Sequence, residues 1–126
     1  FNKPWVADNW KFKASTEDIH EIRFDKHIYD VNKTDGTTQR LWTTPDTVIN
    51  TSCEHITHEK YKKWLANVPN SAQIIVQSND YYELEEYVNC YDSLDQFARK
   101  SMLEIEVKDE IQLPKYKRFM VIGKKK

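Results

Sequence analysis

Hydrophobic positions in this chain fall in short runs that end abruptly in polar residues. Thr47–Asn50 ("TVIN") is β-branched and uncharged, as a buried strand is, and passes straight into "TSCEHI". Trp10–Ala14 ("WKFKA") alternates apolar and basic residues, the pattern of a half-exposed strand. His27–Val31 and Gln39–Trp42 flank the turn signal Asp35-Gly36 and predict a short hairpin or an irregular excursion. His58–Val68 places Tyr61, Trp64, Leu65 and Val68 on one helical face, and Pro69-Asn70 ends that helix. Ala72–Gln77 ("AQIIVQ") is a second buried strand, which runs into "SND" and the acidic "YYELEEY". Ser93 with Gln96 forms a capping box before the apolar Leu94, Phe97 and Ala98. Met102–Val107 alternates like a strand with one wet face, and Phe119–Ile122 is a last buried strand. The intervening "KDEIQLPKYKR" reads as a link around Pro114.

The strand–helix–strand unit in the middle implies a parallel pair, because a parallel connection needs a crossover. The last two strands have no helix between them and are expected to pair antiparallel. In open α/β sheets ligands sit beyond the carboxyl ends of parallel strands. The tails "NTSCEH" and "QSND" leave the sheet at that edge, as does "STED" if its strand is also parallel. Reactive residues therefore follow the buried strand because its end faces a ligand crevice.

The chain's 126 residues suit a single domain, 1–126, and its 39% hydrophobic and 31% charged content suits an α/β or α+β protein. A net charge of −1 gives no whole-protein attraction to nucleic acid or acidic membranes, and Lys124–Lys126 reads as a solvated tail. Two cysteines, Cys53 and Cys90, are too few for a disulfide framework, so a reducing, cytoplasmic location is expected. No apolar run approaches the roughly 20 residues of a membrane span, and no signal-peptide pattern is present. The first residue is Phe rather than Met, so the gene is expected to begin upstream.

Cys53, His55 and His58 are competent zinc ligands, but their spacing matches no common zinc module and no metal is expected. Cys53 with His55 is a candidate thiol nucleophile and base, set against the plainer reading of Cys53 as a small packing residue. Phosphate cradling needs a Gly-rich loop, and neither Gly36 nor Gly123 stands between a strand and a helix. A nucleoside-type cofactor at the strand ends fits better. Asp18 can accept from an exocyclic amine, and the Asn50–Glu54 run can approach closely. Asp18 as a turn or helix cap, with "SCEH" as a helix entry, explains the same residues. Basic–aromatic "NWKFK" and "PKYKRF" can stack bases, but they are also ordinary edge-strand compositions, so nucleic acid is not favoured.

"DTVINTSCEHI" followed by an amphipathic helix resembles the fourth-strand region of class I S-adenosylmethionine-dependent methyltransferases. "SAQIIVQSND" resembles the fifth strand, "MLEIEV…YKRFMVIG" the antiparallel sixth and seventh, and "NWKFKASTEDI" the third. The phrase set is similar to small methyltransferase-like proteins of phage and marine bacterial genomes, which would place it in a host cytoplasm. The resemblance covers the chain from about Trp10 onward, and the order of elements carries it more than any single motif. It implies a Rossmann-like α/β sheet of parallel strands closed by a carboxyl-terminal antiparallel pair. The family's first two strands and Gly-rich loop are missing, so the chain resembles a carboxyl-terminal half. A partner chain, or the rest of the same protein, is then expected to cover the open sheet edge.

The resemblance further implies S-adenosylmethionine as cofactor, with Asp18 at the adenine and Ile19, Asn50, Thr51 and Ser52 also binding it. Glu54, His55 or Asp80 would contact or deprotonate the acceptor, His55 having the most suitable ordinary pKa for a base. Without the loop, the function implied is a methyltransferase-like domain that needs its other half for activity. A non-catalytic interaction module is the alternative. No Pro-Pro-aromatic signature of amino-directed DNA methylation follows either strand, so the acceptor is open.

Overall fold

The computed structural model describes residues 15–33 and 35–126. The strand expected at Trp10–Ala14 lies outside them. The elements run β1 (His27–Asn32), β2 (Thr38–Thr43), β3 (Thr47–Asn50), a 3-10 turn (Cys53–His55), α1 (His58–Asn67), β4 (Gln73–Asn79), α2 (Leu94–Lys100), β5 (Leu103–Gln112) and β6 (Lys117–Lys125). β1 and β2 form an antiparallel hairpin, as the Asp35-Gly36 signal implied. Asp35 Oδ1 accepts from the Thr37 amide at 2.9 Å, and Gly36 takes the positive φ of 85° that the turn requires.

The main sheet has the order β3-β4-β6-β5. β3 and β4 are parallel, joined by the α1 crossover, with Val48 opposite Ile74. β6 runs antiparallel to both of its neighbours, β4 and β5. The local expectations for the strand–helix–strand unit and for the last strand pair therefore hold. The Rossmann-like methyltransferase sheet does not. Among the described residues the fold is a small mixed α/β protein in which one ladder of the main sheet is parallel and two are antiparallel. A Rossmann-like sheet is mainly parallel and covered by helices on both faces. Here Val48, Ile74, Val76, Phe119 and Val121 meet Tyr61, Trp64 and Leu65 of α1 and Phe97 and Ala98 of α2 in one cluster on one face. Burial of each large apolar side chain stabilises this two-layer arrangement by about 1.5–3 kcal/mol.

Strands alternate their side chains, so the opposite face carries Ile49, Ile75, Ile122 and Val107. These four are direct cross-strand neighbours in a row spanning the whole sheet. Ile49 is 59% exposed and Val107 51%. The outer edge of β3 has no strand partner among the described residues.

Both helices begin where their caps lie. Thr57 accepts from the Lys60 amide, and Ser93 from the Gln96 amide at 3.1 Å. The supposed link "KDEIQLPKYKR" is mostly strand. β5 continues to Gln112, a tight turn is closed by Leu113 N–H donating to Tyr116 O at 2.8 Å, and β6 starts at Lys117. A bulge between Ile105 and Val107 breaks the alternation, and an edge strand tolerates charge on both faces, which is why it reads as a link. Lys124–Lys126 is likewise no free tail. Lys124 and Lys125 end β6, and Lys125 Nζ donates to the carbonyls of Ala66 at 3.2 Å and Val68 at 2.8 Å.

Candidate functional site

The carboxyl end of β3 turns through an Asx bend, in which Asn50 Oδ1 accepts from the Ser52 amide at 3.0 Å. The next residues form the 3-10 turn that feeds α1. This bend exposes Thr51 and Ser52 and sends Cys53 and Glu54 inward, while His55 returns to the surface. Ile19, Asn50, Thr51, Ser52 and His55 line one cavity of about 490 Å³, walled by Ile22, Phe24, Ile56 and Trp64. Two distant segments, 19–24 and 48–56, thus supply its sides. Asn50 Nδ2 is buried there with no hydrogen-bond partner.

Asp18 is exposed beside that cavity. Its Oδ1 accepts from the His20 amide at 2.9 Å, and its carbonyl accepts from Glu21 N–H at 2.9 Å. The turn-capping reading of Asp18 is the one this geometry realises. Cys53 is fully buried, and desolvation pushes its thiol up to about 12, the surroundings of a packing residue. Among the described residues, no three His, Cys, Asp or Glu side chains gather into a group able to hold a metal.

Glu54 is only 3% exposed and faces Arg118, whose Nη1 donates to Oε1 at 3.1 Å. Arg118 Nη2 also donates to Thr51 O, and its Nε to Gln77 Oε1 at 3.2 Å. One guanidinium therefore clamps the tail of β3 to β4 and β6. Glu54 Oε2 is buried without a partner. The Glu54 carbonyl accepts from Val88 N–H at 2.8 Å and Asn89 N–H at 3.2 Å, docking the 80–92 loop.

Asp80 lies apart from the cavity. Its Oδ1 accepts from Lys117 N–H at 2.7 Å, and its own N–H donates to Lys117 O at 3.3 Å, tying the end of β4 to the start of β6. The polar "QSND" tail holds the same loop. Ser78 Oγ donates to Asn89 O at 3.0 Å, and Asn79 O accepts from Tyr91 N–H at 3.0 Å.

Of the residues expected at the site, Ile19, Asn50, Thr51, Ser52 and His55 come together; Asp18, Glu54 and Asp80 serve local structure. Sequence reasoning missed Arg118 and an aromatic chain that leads away from His55. His55 meets Tyr87 edge-on at 4.8 Å, Tyr87 meets Tyr81 at 6.2 Å, and Tyr81 meets Tyr116 at 5.4 Å. The tyrosines of "YYELEEY" and "PKYKR" were the visible signal, but nothing in their spacing joins two segments so far apart.

No protein-family model matches this chain, and neither does any curated protein sequence. No helix among the described residues is long and apolar enough to cross a membrane.

Proposed function

We propose that the cavity at the end of β3 binds the adenosine part of a nucleoside-type cofactor, with S-adenosylmethionine as the candidate, and that the chain is a methyltransferase-like domain. The observation supporting this is the convergence of Ile19, Asn50, Thr51, Ser52 and His55 on one cavity. About 490 Å³ lies within the roughly 300–1,000 Å³ of small-molecule sites. Ile19, Phe24, Ile56 and Trp64 offer apolar walls to a purine. The unpaired Asn50 Nδ2 is a donor for a ring nitrogen or a hydroxyl. This chemistry fits the ligand class.

When bound, such a cofactor supplies an already activated methyl group. The chain's own work is then positioning and proton removal. His55, exposed at the cavity rim and braced by Tyr87, is the base toward an acceptor. Glu54, fixed by Arg118, is a positioning residue that holds the bend. No glycine-rich loop is present to wrap the methionine end, so turnover requires additional polypeptide.

Calorimetric titration with S-adenosylhomocysteine tests the binding step. Saturable heat that Asn50→Ala weakens by about tenfold (roughly 1.4 kcal/mol) is the expected result. A chain that is folded by circular dichroism and gives no heat ends the proposal. The second reading, a non-catalytic interaction module, is favoured by the apolar row Ile49–Ile75–Ile122–Val107, whose two ends are exposed.

A further inference from the structure

Charge is divided between the two ends of the main sheet. At the carboxyl end, residues 80–92 carry Asp80, Glu83, Glu85, Glu86 and Asp92 and no Lys or Arg. At the opposite end β3, β4 and β5 begin and β6 finishes, with Leu103 paired to Lys125. Cations from three elements converge there. Lys62 of α1, Arg99 of α2, and Lys125 and Lys126 at the end of β6 line one cleft of about 350 Å³ with an apolar floor that includes Leu65 and Met102. A second cleft adjoins it, sharing Arg99 and Lys126, and adds Lys108 of β5 and Asp95 of α2.

Among the described residues one carboxylate, Asp95, lines the two clefts, in the second of them. Lys62 pairs with Glu59 at 2.9 Å and Lys108 with Asp95 at 2.6 Å, both at exposed positions where such pairs contribute little and exchange readily. Lys125 donates to the Ala66 and Val68 carbonyls and meets no carboxylate among the described residues. Arg99 and Lys126 have no ion-pair partner among the described residues. The net charge of −1 hides this local excess.

We propose that these two clefts form a track for the sugar-phosphate backbone of a single-stranded nucleic acid. Continuity through Arg99 and Lys126, from α1 across to β5, makes the track longer than one phosphate group needs. Its cations line concave clefts instead of ringing an apolar projection, which favours a strand over a membrane surface. The basic track is at the end of the sheet opposite the candidate cofactor cavity, so its occupancy does not depend on the methyltransferase reading.

The experiment is fluorescence anisotropy of labelled DNA and RNA oligomers of about 12 nucleotides against the full chain. With Arg99, Lys125 and Lys126 each displacing a counterion, affinity falls roughly 20-fold between about 50 and 200 mM salt. Arg99→Glu/Lys126→Glu weakens binding by more than about tenfold at the lower salt, whereas Lys33→Glu in the hairpin leaves it unchanged. Lys126→Glu alone, beyond the core, gives a smaller loss in the same direction and keeps the test if the double variant misfolds. Absence of oligomer binding by the folded chain, or equal losses from Lys33→Glu, overturns the proposal. So does cosedimentation with phosphatidylserine vesicles without oligomer binding, which makes the track a membrane contact. Displacement of the oligomer by equimolar pyrophosphate also overturns it, in favour of a small phosphate site.

Discussion

Arg118 reaches three partners from one guanidinium: Glu54, the Thr51 carbonyl and Gln77. Replacing it with Met leaves the nearly buried Glu54 charge without compensation. Arg118→Met should therefore cost about 3–5 kcal/mol in urea denaturation, and Glu54→Gln in the same chain should recover part of that. A loss below about 1 kcal/mol would mean the pair behaves as a surface contact. The Cys53 thiol makes a second residue-scale prediction. Its ordinary value near 9 is pushed up to about 12 by burial, so the unfolded chain releases this proton first. Stability is then intact below pH 9 and declines as pH rises from about 9 to about 12, which denaturation midpoints across that window will report. Cys53 should also resist a thiol reagent near neutral pH until the chain is denatured. Fast native labelling would show that the site opens. Cys53 as a packing residue was legible in the sequence, whereas the Arg118 clamp on Glu54 was not. "SCEH" names the chemical groups, but the partners that bury and neutralise them come from β4 and β6.

At the scale of elements, what was local was legible. Tyr61, Trp64, Leu65 and Val68 are all buried, and Ser93 caps α2, because helical spacing and capping depend only on near neighbours. β5 was half missed, since its charged run carries no periodicity once the bulge at Ile105/Val107 changes face. Gly123 pairs with Ile105 beside that bulge. A Cβ there would press on the Glu104 carbonyl of β5, so the residue is small because the neighbouring backbone comes close. Gly123→Ala should cost about 1–3 kcal/mol, read from a lower denaturation midpoint. An unchanged midpoint would show that β5 gives way without strain. No turn or loop signature accompanies this glycine, because its constraint comes from another strand.

At the scale of the molecule, the described residues form a main sheet with helices on one face and an apolar row on the other. If that row is an interface, wild-type chain sediments as more than a monomer. Val107→Lys, at a position already half exposed, should then return it to monomer while changing stability by less than about 0.5 kcal/mol. A wild-type monomer at high concentration removes a second copy as the occupant. The sequence by itself determined both helices, the Ser93 cap of α2, the parallel β3–β4 unit and the antiparallel last pair. It also placed the polar tails at the carboxyl ends of β3 and β4. Those properties follow from periodicity, turn chemistry and the length of connections, which act over a few residues. Only the tertiary structure decided that β6 lies between β4 and β5, that Glu54 pairs with Arg118, and that dispersed lysines and Arg99 share one groove. Each of these depends on contacts between segments tens of residues apart, where side-chain spacing along the chain carries no information.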